Sequence, residues 1–342
     1  MTILTSSPIP VRAGAASPTT WRHALRTAVR DPVELCRHLQ LPAACEPAAI
    51  RASRDFPVLA PLGYIARMRP GDPLDPLLRQ VLPLDAELAV AQGFTSDPVG
   101  DLAAQRAVGL LHKYHGRALM ITTGVCAVHC RFCFRRQYPY EDSPSIGARW
   151  PAAVAQIAGD PSLEEVILSG GDPLTLGDSP LAELAAMLAA VPHVRRLRIH
   201  TRLPIVIPQR VTDELVAWLR GTRLTPIMVV HANHARELAP DVEAALGRLA
   251  DAGIPVLNQA VLLRGVNDDA DTLVELSQRL LDCRVLPYYL HQLDRVAGAA
   301  HFETPVEVGQ RLIAEMTARL PGYAVPRYVR EVPGALAKLR IA

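Results

Sequence analysis

The sequence predicts an α/β fold: an open, crescent-shaped partial barrel of six strand–helix units, (βα)6, with a helical accessory region before it and a short tail over its mouth. Two observations carry this prediction. From about Gly109 onward, short apolar runs of strand character alternate with stretches of helical periodicity, which specifies a parallel sheet with right-handed crossovers. The residues of unusual chemistry also fall almost entirely just after those runs, where barrels of parallel strands place their functional loops. Six units fall short of the eight that close a full barrel, so the sheet should stay open.

Residues 1–20 are rich in Ser, Pro, Thr and Ala and read as lacking fixed structure. Residues 21–108 form the accessory region. In "WRHALRTAVRDPVELCRHLQL" two short helices part at Asp31-Pro32, with Asp31 as N-cap and Pro32 at the first helical position. Pro57, Pro61, Pro70, Pro73 and Pro76 then impose an irregular connector, and no catalytic pattern is visible there. The barrel spans residues 109–320. Its strands are read at Arg117–Thr122, Glu165–Leu168, Arg196–His200, Thr225–His231, Pro255–Leu263 and Val285–Leu293. Helices fall between them, for example at Leu181–Leu188 and Leu273–Leu281. The last helix is expected to open with Thr304-Pro305-Val306-Glu307, a capping-box pattern, and to bury Val308, Leu312, Met316 and Leu320 along one face. Residues 321–342 form the tail.

A net charge of +2 on 342 residues gives no reason to expect a nucleic-acid or membrane-surface partner. The stretch from Met1 to Trp21 has no basic segment followed by an apolar run, and no apolar run is long enough to span a bilayer. Cys36, Cys45 and Cys283 are scattered and read as buried small hydrophobes. These features predict a cytoplasmic protein.

The other three cysteines, Cys126, Cys130 and Cys133, lie within one run with the spacing CxxxCxxC. Three thiolates on one loop can hold three irons of a cubic [4Fe–4S] cluster and leave the fourth iron open to bind a small molecule. A zinc site usually takes four ligands in CxxC pairs, and His129, inside the same tight loop, is a poor fourth. A disulfide would leave an odd cysteine. The spacing, with the aromatic Phe132 before the last cysteine, resembles the radical S-adenosylmethionine (SAM) superfamily.

Ser169-Gly170-Gly171-Asp172-Pro173 follows an apolar strand, and its glycines allow a ligand close to free backbone groups. Alone it is an ordinary tight turn; beside an open cluster it reads as a contact to the methionyl part of SAM. Lys113 and Arg117, four apart before the first strand, could clamp a phosphate dianion, although unaided they read as a surface pair. Arg135 and Asp294 are charges expected at the barrel mouth. His231 and His234 read as hydrogen-bonding rather than metal-binding. Nothing in the local sequence singles out Lys338.

Taken together, "GDPLDPLLRQVLP", "GLLHKYHGRAL", "CAVHCRFCFRR", "SGGDPL", "RIHTRLPIVIPQR", "HANHARE", "NQAVLLRGVNDD" and "LPYYLHQLDRVAGAAHF" resemble the lysine 2,3-aminomutases over about residues 25–338. Within that family the likeness is greatest to the branch that makes (R)-β-lysine for elongation factor P. The resemblance implies a [4Fe–4S] cluster, SAM and pyridoxal 5′-phosphate (PLP) as cofactors, L-lysine as substrate and a one-electron reductant. It also implies a ligase that attaches the product to elongation factor P. By position, Cys126, Cys130 and Cys133 match the cluster ligands, and Gly170, Gly171, Asp172 and Gln259 match SAM contacts. Lys338 falls on the PLP-linked lysine, and Arg117 and Lys113 on residues that hold the PLP phosphate. Arg135 matches the grip on the substrate carboxylate, and Asp294 and Glu331 match the acids that face its ε-ammonium.

The chemistry so implied is a SAM-derived radical that takes hydrogen from the β-carbon of PLP-held lysine, migration of the amino group, and return of the hydrogen. This chain departs from the family's pattern at four places. Gly334-Ala335-Leu336-Ala337 replaces a glycine run, His291 replaces a tyrosine, and Glu331 stands for an aspartate. No cysteine cluster follows Lys338, so the zinc-linked oligomer of clostridial members is not expected. Competing readings are an aminomutase that makes free β-lysine for catabolism or as an osmolyte, a radical SAM enzyme without PLP, and a non-catalytic cluster protein.

Overall fold

The computed structural model describes residues 20–140 and 146–342. The expectation that residues 1–20 lack fixed structure lies, but for Thr20, outside the described residues. Thr20 caps α1 (Trp21–Arg26) through its hydroxyl, which accepts from the His23 N–H at 3.3 Å. Asp31 caps α2 (Pro32–His38) by accepting from the Val33 N–H at 2.8 Å, with Pro32 in the first turn as expected. Next come α3 (Cys45–Ser53), which packs on α2, and the single turn α4 (Leu62–Ile65).

The sheet follows chain order from edge to edge through ten strands and does not close. It begins with β1 (Gln105–Ala107), β2 (Leu110–Tyr114) and β3 (Arg117–Thr123), paired antiparallel. From β3 onward pairing is parallel through β4 (Glu165–Gly170), β5 (Arg196–Thr201), β6 (Thr225–Val230), β7 (Val256–Val261), β8 (Leu286–His291) and β9 (Arg327–Arg330). The antiparallel β10 (Leu339–Arg340) closes the far edge. The crossovers carry α5 (Ile146–Ala158), α6 (Asp178–Ala189), the short α7 (Leu203–Val206), α8 (Asp213–Gly221), α9 (Pro240–Asp251), α10 (Ala270–Asp282) and α11 (Val306–Arg319).

The six predicted units are therefore present as β3–β8, and the sheet is wider than predicted on both sides. The tail supplies a seventh parallel strand, β9, and Lys113 belongs to β2 of a hairpin rather than to a segment before the first strand. Alternation sets the two faces. In β5, Leu197, Ile199 and Thr201 are buried towards the helices, while Arg196, Arg198 and His200 are half-buried on the inner face. Arg198 on that face meets Glu165 of β4 at 2.8 Å. In β7, likewise, Val256, Asn258 and Ala260 are buried and Gln259 takes the other face.

The capping box expected for the last helix is not formed. Pro305 is the N-cap of α11, with no side-chain cap. The Thr304 hydroxyl is buried without a partner, and its carbonyl accepts from Gln292 Nε2 at 2.8 Å. Leu312, Met316 and Leu320 are buried as expected, whereas Val308, at the start of the same face, is only half-buried. Among the described residues every cysteine is free; Cys36 and Cys283 are buried and Cys45 half-buried. Among them, too, no helix is long and apolar enough to cross a membrane.

Candidate active site

The loop after β3 carries the three clustered cysteines, and the accessory region grips it from outside. The N–H groups of His129 and Arg131 donate to the Leu59 and Gln80 carbonyls, each at 2.9 Å. The Arg131 guanidinium, fully buried, donates to both oxygens of Glu87 at 2.8 and 2.6 Å and to the Phe56 carbonyl at 2.7 Å. Arg136 reaches the same carboxylate at 2.8 Å. A region without any catalytic pattern in its sequence thus fixes the shape of the cysteine loop.

Cys126, Cys130 and Cys133 are free and half-buried. Burial pushes the Cys126 thiol well up and the Cys133 thiol to about 11. A bare thiolate is therefore disfavoured at Cys126 and Cys133, and a bound metal, which deprotonates a coordinating thiol outright, relieves that penalty. Three soft thiols on one braced loop suit an iron–sulfur cluster. Among the described residues, no three His, Cys, Asp or Glu side chains converge to hold a single metal ion.

The Ser169–Pro173 loop packs directly on the cysteine loop. The Gly171 N–H donates to the Thr123 carbonyl at 2.7 Å and the Asp172 N–H to the Val125 carbonyl at 2.8 Å. A Cβ on Gly170, at φ +118°, would stand 2.5 Å from the Thr123 oxygen, and one on Gly171 would stand 2.4 Å from the Val125 oxygen. These glycines permit two backbones to touch. Of the glycine backbone groups expected to be free for a ligand, the Gly171 N–H is thus used inside the protein, and the Gly170 carbonyl accepts from the Tyr140 hydroxyl at 2.9 Å.

The Asp172 side chain is likewise occupied. It accepts from Thr201 Oγ1 at 2.7 Å and from the N–H groups of Leu174, Arg202 and Leu203 at 3.0, 2.7 and 3.1 Å. It is a strut between the loops after β4 and β5. Gln259 stands opposite Tyr289 in the register and is half-buried.

The charged candidates form one alternating chain. Arg135 Nε donates to Asp101 Oδ2 at 2.6 Å and its Nη1 to Ser169 Oγ at 3.1 Å. Lys113 Nζ lies 2.5 Å from Asp101 Oδ1, 2.9 Å from Glu331 Oε1 and 2.8 Å from the Val99 carbonyl. Lys338 donates to the other oxygen of Glu331. Burial alone would raise both carboxyls, but the neighbouring cations outweigh it. They hold Asp101 below the usual range and bring Glu331 down to about 2.

Among the described residues Asp294 has no ion-pair partner. Burial, and then the negative charge of Glu331, push it up to about 7, with Lys338 and Lys113 opposing only in part. Arg117 lies over the Tyr114 ring, 4.9 Å from its centre, and pairs with no carboxylate among the described residues. The Nε2 atoms of His200 and His231 are buried without partners, and burial holds both rings neutral. His234 caps a turn through Nδ1, which accepts from the Arg236 N–H at 3.1 Å.

The sequence signature of the radical SAM superfamily matches residues 120–276. The chain is 45% identical to the L-lysine 2,3-aminomutase of Escherichia coli (strain K12) over 321 residues, 93% of each chain. It is 43% identical to that of Haemophilus influenzae over 92% of this chain and 93% of the relative. The corresponding values for the Clostridium subterminale protein of the same name are 35%, 93% and 76%. The chain belongs to the lysine 2,3-aminomutase family.

As a radical SAM aminomutase it is an isomerase that works with a [4Fe–4S] cluster and SAM, and the open barrel is the fold expected of that chemistry. Of the residues an aminomutase reading singles out, the fold links Arg135, Lys113, Glu331 and Lys338 into one contact network and sets Asp294 within reach of its charges. The link it adds is Asp101. That residue has no sequence signal beyond the turn Asp97-Pro98-Val99-Gly100, in which Asp97 Oδ1 accepts from the Asp101 N–H at 2.8 Å.

Proposed function

We propose that this aminomutase converts L-lysine to (R)-β-lysine with PLP as its further cofactor, and that the product is destined for elongation factor P. Cys126, Cys130 and Cys133 would hold the cluster, with Gly170, Gly171, Asp172 and Gln259 around SAM. Residues 21–108 act as the collar of the cysteine loop, 109–320 as the barrel and 321–342 as the tail that brings in the PLP lysine. A free-thiol site of this kind suits the reducing cytoplasm.

The observation that carries the reading is the ammonium of Lys338, drawn inward onto Glu331 beside the unpaired Asp294. A tail lysine without a task would be solvated. Here it is half-buried, and a carboxylate holds it at the site where a cationic substrate end is expected. When Lys338 turns to PLP, Glu331 loses one of its two cations, and with Asp294 it can then receive the ε-ammonium of lysine. Charge is exchanged for like charge, so no carboxylate is left buried and unpaired.

The residues present fit PLP. Lys338 supplies the amine, and Arg117 offers a guanidinium without a competing acid, whereas Lys113 is engaged by two carboxylates. PLP, when bound, supplies a π-system that delocalises the unpaired electron during amino migration. Arg135 serves the substrate carboxylate. Asp101 and Ser169 fix one edge of its guanidinium and leave Nη2 and a hydrogen on Nη1 for a two-pronged contact.

Reading the product as a substrate for modification of elongation factor P rests on the sequence blocks, which resemble that branch more than the longer aminomutases. Two experiments test the proposal. Borohydride reduction of the PLP-loaded protein followed by peptide mapping should label Lys338, and a label on another lysine would move the site. The mass of elongation factor P in a deletion strain should fall by one β-lysyl group. An unchanged mass would favour an aminomutase that makes free β-lysine.

A further inference from the structure

Arg202, in the turn after β5, is 6% exposed and joins four parts of the molecule. Its backbone N–H donates to Asp172 at 2.7 Å, which ties it to the loop beneath the cysteines. Its Nη2 donates to Gln80 Oε1 at 2.6 Å, Glu237 Oε2 at 2.8 Å and the Tyr64 hydroxyl at 3.2 Å. Its Nη1 turns away from that carboxylate and donates to Cys130 Sγ at 2.7 Å. Glu237, fully buried, is held by Gln80 Nε2 at 3.1 Å and by the N–H groups of Asn233 and His234 at 2.9 and 3.2 Å.

We infer that Arg202 is a positioning residue for the iron–sulfur centre. Its guanidinium holds a hydrogen bond and a positive charge against one ligand sulfur, and Glu237 partly offsets that charge from behind. The inference rests on the assignment of Cys130 as a cluster ligand. Net charge and hydrogen bonds to the sulfurs set the potential of such clusters. Reduction adds one electron from the external donor to the cluster and no proton need follow. A fixed cation at the sulfur favours the reduced form, and a carboxylate behind that cation opposes it.

Tyr64, Gln80 and Glu237 all accept from Nη2, and the buried Nε has no partner. The remaining arm, Nη1, is given to the Cys130 sulfur and not to the carboxylate. Buried ion pairs also seldom stabilise a fold beyond what apolar packing would give, so stability is a weak reason for this one. The arrangement further explains why the accessory region reaches into the barrel at Tyr64 and Gln80, since both hold the guanidinium that faces Cys130.

The test uses full-length protein reconstituted anaerobically with iron and sulfide, with iron content measured first and then the midpoint potential by redox titration followed by EPR. Arg202→Gln should keep its iron and move the one-electron equilibrium at least tenfold toward the oxidised form, which is about 59 mV downward. Glu237→Gln, which leaves Arg202 in place, should move it upward. The double variant Arg202→Gln/Glu237→Gln removes both buried charges, guards against misfolding of the single one, and should again lie below wild type.

Opposite signs for the two single changes are what a role in folding alone would not produce. Potentials equal to wild type in the iron-replete variants would overturn the inference, as would a downward shift in Glu237→Gln. Should both Arg202 variants lose their iron, the sign of the Glu237→Gln shift decides alone. A wild-type protein that binds no iron would instead overturn the cluster assignment itself.

Discussion

Asp101→Asn tests the charge chain where it is most deeply buried. The substitution preserves shape and removes the negative charge that Arg135 and Lys113 share. The side chains of Asp101 and Arg135 are 3% and 8% exposed, so solvent does little to replace that charge. Breaking a buried pair of this kind costs about 3–5 kcal/mol. The cost should be lower here. Arg135 keeps Ser169, Lys113 keeps Glu331 and the Val99 carbonyl, and an asparagine oxygen can still accept one hydrogen bond. About 2 kcal/mol is then expected, read as a lower urea midpoint with an unchanged slope.

Catalysis should suffer as well, because Asp101 fixes the edge of Arg135 that the substrate does not use. If the same 2 kcal/mol appears in lysine recognition, kcat/KM for lysine falls about thirty-fold, with iron content unchanged. Asp101→Glu should recover part of both losses. Wild-type stability and lysine kinetics in Asp101→Asn would refute the reasoning.

Replacing any one of Cys126, Cys130 or Cys133 with Ala should abolish SAM cleavage and leave the far-ultraviolet circular dichroism unchanged; full iron and normal turnover in one of them would displace that ligand. Lys338→Ala should give no borohydride-stable PLP adduct, checked by mass spectrometry. Asp294, brought up to about 7 by burial and by Glu331, must be ionised to meet an ammonium, so the KM for lysine should fall as pH rises from about 6 to 8, with a much flatter profile in Asp294→Asn. The same raised value costs stability as pH climbs from about 4 through 7, because the unfolded carboxyl ionises first. Glu331 acts in the opposite sense. Held near 2 when folded, against about 4.3 when unfolded, it contributes fully above about pH 5 and is lost as pH falls through that window, so Glu331→Gln should flatten the acid limb of the stability curve.

The central strands were legible from their apolar residues, which run nearly continuously in β3, β4 and β6 and alternate in β5 and β7. The edge strands carry no such mark. In β1 both Gln105 and Arg106 are exposed, β9 buries only Tyr328 and Val329, and β10 is two exposed residues. They exist because neighbouring strands offer open edges. The expected capping box is absent because the helix starts one residue later than the pattern implies, with Pro305 as N-cap, while the Thr304 carbonyl is held by Gln292 from the start of the same connection, a contact that no local pattern encodes.

The cysteines were legible because one loop carries all three. Asp101, Arg202 and Glu237 were not, being common residue types on three separate segments that meet only once the barrel is formed. The glycines of the Ser169–Pro173 loop show a subtler limit. The sequence indicated a close approach, and the approaching group proved to be the cysteine loop's own backbone.

The central claim is that this chain moves the amino group of lysine. Reduced, reconstituted protein loaded with PLP and SAM, incubated anaerobically with L-lysine and followed by chiral chromatography, tests it most directly. The account predicts (R)-β-lysine, formed over many turnovers for each SAM supplied because the returned hydrogen regenerates SAM. Lysine recovered unchanged while SAM is consumed, from protein replete in iron and PLP, would contradict it.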